Sequence, residues 1–221
     1  MSQQENIFAY PAMLNLTDKE CVIIGGGKVA ARKLTSLCDA GARVTVAAPN
    51  FCPDLLHTAA SHQVRLLCVS YSKELLQHAF LVIAATDNSE VNRQVTQDAP
   101  FLCNNITEPH LSNFTVPATI KNGSITLAVA TGGMPAYTRL LRKHLSRALP
   151  PVFAEFNDFL SAIRQEVKHI PSTPAQRTSF WRHTLTPEIL ELLQQGNITT
   201  AKEKILHAVN SFRTQSQNST C

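Results

Sequence analysis

Three consecutive glycines end an apolar run and open a helix, and that junction limits the folds available to this chain. In the segment Glu20 to Gly41, ECVIIGGGKVAARKLTSLCDAG, Cys21 to Ile24 reads as a buried strand and Gly25 to Gly27 as a turn; the residues on to Asp39 read as a helix free of Gly and Pro. Gly25-x-Gly27-x-x-Ala30 has the G-x-G-x-x-G/A spacing of a dinucleotide-binding βαβ unit. Glycine there lets the backbone turn tightly and approach a pyrophosphate, and the helix N-terminus presents unpaired N–H groups to the anion. A second strand-like run, Ala42 to Ala48, follows at the distance a βαβ crossover needs.

The same alternation continues downstream. Pro53 to Ala60 predicts a short helix with Pro in its first turn, Val64 to Val69 a strand, and Lys73 to Gln77 a helical turn. Phe80 to Ala85 is apolar enough to be a strand buried on both faces. Ser89 to Gln97 reads as a helix with Asn88 and Ser89 as cap candidates, and Phe101 to Asn105 as a fifth strand. Phe8 to Leu16 reads as an edge strand or lead-in interrupted by Pro11. The expected fold class is α/β, with an N-terminal Rossmann-type domain built on a mostly parallel sheet.

The pattern changes after Pro109. Phe114 to Ile120 and Ser124 to Ala130, around Lys121-Asn122-Gly123, predict an antiparallel hairpin, and Pro135 to Ala148 a helix bearing Arg139, Arg142, Lys143, His144 and Arg147. Val152 to His169 predicts an amphipathic helix whose Phe153, Phe156, Phe159, Leu160 and Ile163 form a core or dimer stripe. Between Pro174 and Thr186 lies a segment containing Trp181, followed by helices over Pro187 to Gln195 and Thr199 to Phe212 and a polar tail expected to fray. The expected organisation is a nucleotide domain over 1–112, a small α+β region over 113–149 and a helical region over 150–221.

Composition narrows the partners. A hydrophobic content of 44% fills a real core, and a net charge of +4 is too small to indicate nucleic acid but suits an anionic small molecule where the charges cluster. The six cysteines form no C-x-x-C pair and lie mostly in apolar runs, as expected of reduced thiols in a cytoplasmic protein. No apolar stretch is long enough to span a membrane, and the eight histidines are scattered without zinc-site spacing.

Candidate functional residues follow from this frame. Where a Rossmann domain usually places an acidic ribose ligand, this chain has Pro49-Asn50; Asn50 can bond a ribose hydroxyl, and no Arg beside it favours a 2′-phosphate, so NAD is preferred to NADP. Thr86 and Asp87, ending the fourth strand, are candidates for cofactor contact or for helix capping. The segment Cys103 to His110, CNNITEPH, gathers polar groups at the end of the fifth strand: Glu108 and His110 as proton carriers, Asn104, Asn105 and Thr107 as orienting groups, with turn-forming roles as the alternative.

In order, IGGGKVAARK, AATDNSEVN, LCNN, FTVPATI, AVATGG and RLLRKHL resemble the precorrin-2 dehydrogenase family, which includes the amino-terminal part of bacterial sirohaem synthase and a yeast bifunctional dehydrogenase/ferrochelatase. The resemblance implies a homodimer with a Rossmann domain, a central dimerisation region and a helical region. It implies NAD-dependent oxidation of precorrin-2, a tetrapyrrole polycarboxylate, to sirohydrochlorin, followed in bifunctional members by insertion of a ferrous ion. It assigns Gly25, Gly26, Gly27, Lys28 and Val29 to the pyrophosphate, and Pro49, Asn50, Thr86 and Asp87 to the cofactor. Asn104, Asn105, Thr131, Gly132, Gly133, Arg139 and Arg142 go to the substrate side, and Thr107, Glu108 and His110 to catalysis. Two departures stand out: Thr107 occupies the position of an essential family Asp, leaving Glu108 to substitute, and the Gly133-Met134-Pro135 turn is one residue shorter than the family's. Losing the carboxylate harms chelation, which must remove pyrrole protons, more than hydride transfer. A ferrochelatase that does not use NAD and a non-catalytic tetrapyrrole binder remain alternative readings of the same residues.

Overall fold

The computed structural model describes residues 10–218, in two compact units that divide between Val116 and Pro117. The first unit is a five-stranded parallel sheet: β1 (Glu20–Ile24), β2 (Arg43–Ala47), β3 (Arg65–Leu67), β4 (Leu81–Ala84) and β5 (Leu102–Asn105), in the order β3-β2-β1-β4-β5. Helices α1 (Lys28–Asp39), α2 (Pro53–Ser61) and α3 (Ser89–Asp98) make the crossovers, with a 3-10 turn over Lys73–Leu76 standing in for a helix between β3 and β4.

The uninterrupted apolar sequence of β1 follows from its central position. Cys21 and Ile23 face the cluster built with Leu34 and Leu37 of α1 and Leu55 of α2. Val22 and Ile24 face the other cluster, with Leu76, Val82 and Val95. Full burial of each such aliphatic side chain is worth about 1.5–3 kcal/mol, which pins the register of β1.

The outer edge of β5 is closed by side chains. The Cys103 N–H donates to Asn113 Oδ1 at 2.8 Å, the Asn105 N–H donates to Ser112 Oγ at 2.8 Å, and Asn113 Nδ2 donates back to the Phe101 carbonyl. These bonds satisfy an exposed strand edge without another strand. The lead-in from Tyr10 to Leu16 is irregular, not a strand: Pro11 has no N–H to pair, and only Leu16 is buried; Phe8 and Ala9 lie outside the described residues.

The second unit contains the hairpin β6 (Ala118–Asn122) and β7 (Ile125–Val129), and helices α4 (Pro135–Arg147), α5 (Val152–His169), α6 (Pro174–Thr184), α7 (Pro187–Gln194) and α8 (Ile198–Asn218). The hairpin begins only after Pro117, so Phe114 to Val116 are not strand as expected; Pro117 cannot donate to a ladder. Asn122 Nδ2 donates to the carbonyls of Leu149 and Pro150, fastening the hairpin to the link between α4 and α5. Of the aromatic stripe on α5, Phe156 and Ile163 are core and Phe153, Phe159 and Leu160 pack half-buried against it. The segment around Trp181 is the helix α6, started by a capping box between Thr173 and Gln176. The tail is helical through Asn218, so 214–218 do not fray into coil as expected; residues 219–221, with Cys221, lie outside the described residues. Among the described residues no helix is long and apolar enough to cross a membrane.

Candidate functional site

The strand order reverses between β1 and β4, whose ends Ile24 and Ala84 are paired neighbours. Open α/β sheets bind ligands beyond the carboxyl ends of their strands at such a point. A cleft of about 750 Å³ opens there, and Gly25, Gly26, Gly27, Lys28, Val29, Pro49, Asn50, Thr86 and Asp87 all line it. The structure thus gathers from three loops the nine residues that the sequence points to for a cofactor. It adds lining residues that sequence reasoning missed, among them Cys52, Tyr71, Val91 and Ile106. The signal for Tyr71 was available: β3 neighbours β2, so the loop after it emerges at the same edge.

The three glycines differ in what they do. A Cβ on Gly25, whose φ is +131°, would lie 2.2 Å from the Ala85 carbonyl oxygen, and one on Gly26 would lie 1.8 Å from that of Asn50. Those two glycines let the turn pack against the ends of β4 and β2, and the Gly26 carbonyl is fixed by the Cys52 N–H at 2.8 Å. A Cβ on Gly27 meets no atom within 4 Å. The protein therefore has no packing reason to exclude a side chain at 27, and the space beside it belongs to the cleft. Gly27 is also the N-cap of α1 and brings no side chain to cap it, the first turn has no acidic residue, and Lys28 follows directly. Free N–H groups, a positive helix end and a nearby ammonium suit a pyrophosphate. The residues present fit a dinucleotide.

The cleft wall from β4 is held from behind. Asn88 caps α3, its Oδ1 accepting the N–H groups of Glu90 and Val91. Asn92, fully buried, accepts the Thr86 N–H on Oδ1 at 3.1 Å and donates from Nδ2 to the Thr86 carbonyl at 3.0 Å. Tyr71 donates its hydroxyl to Asp98 Oδ2 at 2.8 Å; burial, reinforced by this bond, holds the phenol above its usual range.

The polar segment after β5 lies elsewhere. Of Asn104, Asn105, Ile106, Thr107, Glu108 and His110, only Ile106 lines the cleft. Asn105 is fully buried and its Oδ1 accepts the N–H groups of Thr107 and Glu108 and the Thr107 hydroxyl. Asn104 Nδ2 donates to the Phe114 carbonyl. Glu108, expected as a replacement base, is gripped by Arg93 of α3, with Nε at 2.6 Å from Oε2 and Nη2 at 2.8 Å from Oε1. The hydrogen bond from Arg93 holds its carboxyl below the usual glutamate range, which makes it a weaker proton acceptor than a free carboxylate. Glu108, His110 and Arg93 instead border a separate hollow of about 320 Å³. The geometry argues against Glu108 as the base in the cleft.

In the second unit, Thr131, Gly132 and Gly133 form the turn before α4, with both glycines at positive φ and open space where a Cβ would stand. The Thr131 hydroxyl bonds the Met134 carbonyl at 3.0 Å and lies against the Thr138 hydroxyl. Arg139 and Arg142 project from α4, a helix with no buried residue. Among the described residues no group of three or more His, Cys, Asp or Glu side chains is placed to hold a metal ion.

Comparison with known proteins agrees with this geometry. A family model described as NAD(P)-binding matches residues 12–118, and one described as the sirohaem synthase dimerisation region matches 153–209. A sirohaem synthase of Nitrosospira multiformis is 37% identical over 200 residues, covering 87% of this chain and 42% of that protein. One from Thioalkalivibrio sulfidiphilus is 33% identical over 207 residues, covering 91% and 42%. The chain thus spans about two-fifths of the length of these relatives. The solved structure of SirC, a precorrin-2 dehydrogenase, superposes with a TM-score of 0.73 at 23% identity, covering 89% of this chain and all of that one, and shows the same fold. A cleft suited to a dinucleotide at the switch point of a 3-2-1-4-5 sheet, followed in sequence by a match to the sirohaem synthase dimerisation region, accompanies the likeness to sirohaem synthases over nearly nine-tenths of the chain.

Proposed function

We propose that this chain is an NAD-dependent precorrin-2 dehydrogenase, oxidising precorrin-2 to sirohydrochlorin in a cytoplasmic pathway to sirohaem. The observation that carries the reading is the glycine turn: two glycines packed against backbone and a third opening onto the cleft at an uncapped helix end. When bound, NAD supplies the acceptor for the hydride removed from the substrate. The chain's own residues hold it there, with the first-turn N–H groups of α1 and Lys28 on the pyrophosphate, Asn50 on a ribose hydroxyl and the Thr86-Asp87 wall beside it. Asp87 is the carboxylate in the lining, so a proton released in the cleft passes to Asp87 or to water.

The substrate's carboxylates are assigned to the cationic face of α4 with Arg139 and Arg142, beside the turn Thr131-Gly132-Gly133. The protein works as a homodimer. Its dimerisation region and the outward apolar residues Met134, Tyr137 and Leu140, 52–62% exposed, support this assembly. Ferrous-ion insertion is not part of the proposal: Thr107 is no proton acceptor, and Glu108 is committed to Arg93. Titration with NAD tests the reading. Saturable binding with Kd below about 1 mM supports it, and no binding at that concentration overturns it.

A further inference from the structure

We propose that Asn92 is the positioning residue that sets the cofactor-facing wall of the cleft, and that Thr107 acts on the cofactor through it. This rests on the NAD reading of the cleft. Backbone partners fix the orientation of the Asn92 amide, whose Oδ1 also faces the Thr86 hydroxyl at 2.8 Å. Its Oδ1 must be the atom facing the Thr86 N–H, and its Nδ2 the atom facing the Thr86 carbonyl, which leaves the second Nδ2 hydrogen for Thr107 Oγ1 at 3.2 Å. The Thr107 hydroxyl, accepting there, donates to Asn105 Oδ1 at 2.9 Å. Asn105 is oriented in turn by the N–H groups of Thr107 and Glu108, so its Nδ2 donates to Thr96 Oγ1 at 3.1 Å. Thr96 then donates to the Asn92 carbonyl at 2.7 Å.

The bonds run as one chain, all in the same direction, from the Asn92 side-chain amide through Thr107, Asn105 and Thr96 to the Asn92 backbone carbonyl, and along that chain each bond polarises the next. A hydroxyl at 107 serves it as acceptor on one side and donor on the other. A carboxylate there would meet the Asn105 oxygen with no proton to offer. Thr107 thus has a role that its departure from the family pattern did not predict. It does not line the cleft; its bond to Asn92 fixes the side chain that brackets the Thr86 peptide, and Thr86 does line it.

Amide hydrogen exchange at Thr86, measured without ligand, and NAD affinity, measured by calorimetry, test this together on Thr107→Val and Thr107→Ser. Thr107→Val is expected to speed exchange at Thr86 and raise the NAD Kd, each by about fivefold to tenfold, as for loss of a hydrogen bond. The Ile23 amide in β1 should keep its protection, and Thr107→Ser, which restores the hydroxyl, should return both readouts to wild type. Unchanged exchange at Thr86 in Thr107→Val overturns the coupling whether or not NAD binds. Faster exchange with unchanged NAD affinity overturns the positioning role and leaves a purely structural chain of bonds. If wild-type protein binds no NAD, the cofactor reading and the positioning role fall together, while the exchange result still reports whether the coupling exists.

Discussion

Arg93 holds both oxygens of Glu108, at 2.6 and 2.8 Å, on the α3 side of the sheet. Replacing Glu108 by Gln is therefore expected to leave turnover and NAD affinity close to wild type. The loss should show in stability, and with a defined pH dependence. The Glu108 pKa is lowered in the folded protein by the Arg93 hydrogen bond, so the pair contributes above the unfolded glutamate value near 4.3 and its contribution is lost as pH falls through the lower folded value. Melting temperatures of wild type and Glu108→Gln should differ at neutral pH and converge in acid. A large fall in turnover with NAD affinity preserved would return Glu108 to the chemistry.

The glycine turn separates a folding requirement from a binding one. Gly25→Ala and Gly26→Ala drive a Cβ into backbone oxygens and should lower stability by about 1–3 kcal/mol or more. At Gly27 an added Cβ meets no atom within 4 Å, so Gly27→Val should keep a melting temperature near wild type while abolishing NAD binding. Thermal melts paired with NAD titrations make the comparison. Wild-type affinity in Gly27→Val would contradict the assignment of that space to the pyrophosphate.

The cysteines report on the cleft. Burial, and then the Glu20 charge, push the Cys21 thiol up to about 11, and burial raises Cys103, so both should resist alkylation until the protein unfolds. Among the described cysteines, Cys68 is the exposed one and should react before the others. Cys52 lines the cleft and should be protected by NAD. Peptide mapping after alkylation, with and without NAD, reads all four; a Cys52 rate unaffected by NAD would count against the proposed occupancy.

Reversing charge on α4 probes the substrate side. Because no residue of α4 is buried, Arg139→Glu combined with Arg142→Glu should leave the fold intact, raise KM for precorrin-2 and leave NAD affinity unchanged. Steady-state kinetics with each ligand varied in turn measures this, and an unchanged KM would remove the helix from substrate recognition.

The first unit was legible in the sequence because its strands are central and apolar. β1 and β4 are buried on both faces and bounded by Gly, Thr and Asp, so period, length and punctuation all agree. The second unit was harder to read. Helix α6 places Phe180 and Trp181 side by side, not at helical spacing, and its clearest signal is the Thr173-x-x-Gln176 capping box. Phe114 to Val116 alternate like a strand, yet β5 already has its edge satisfied by Asn113 and Ser112. Gly25 and Gly26 were readable because the close approach of backbone at the ends of β4 and β2 fixes their type. The employment of Glu108 and Thr107 was not, because it depends on Arg93 and Asn92, which lie 15 positions earlier and meet them only once α3 packs beside β5.

The most direct test of the central claim is anaerobic incubation of the purified protein with precorrin-2, with and without NAD, following the sirohydrochlorin spectrum together with NADH. Sirohydrochlorin formed only with NAD, in equal amount to NADH, is the result predicted. Product formed equally without NAD, or no product despite saturating NAD, would contradict it.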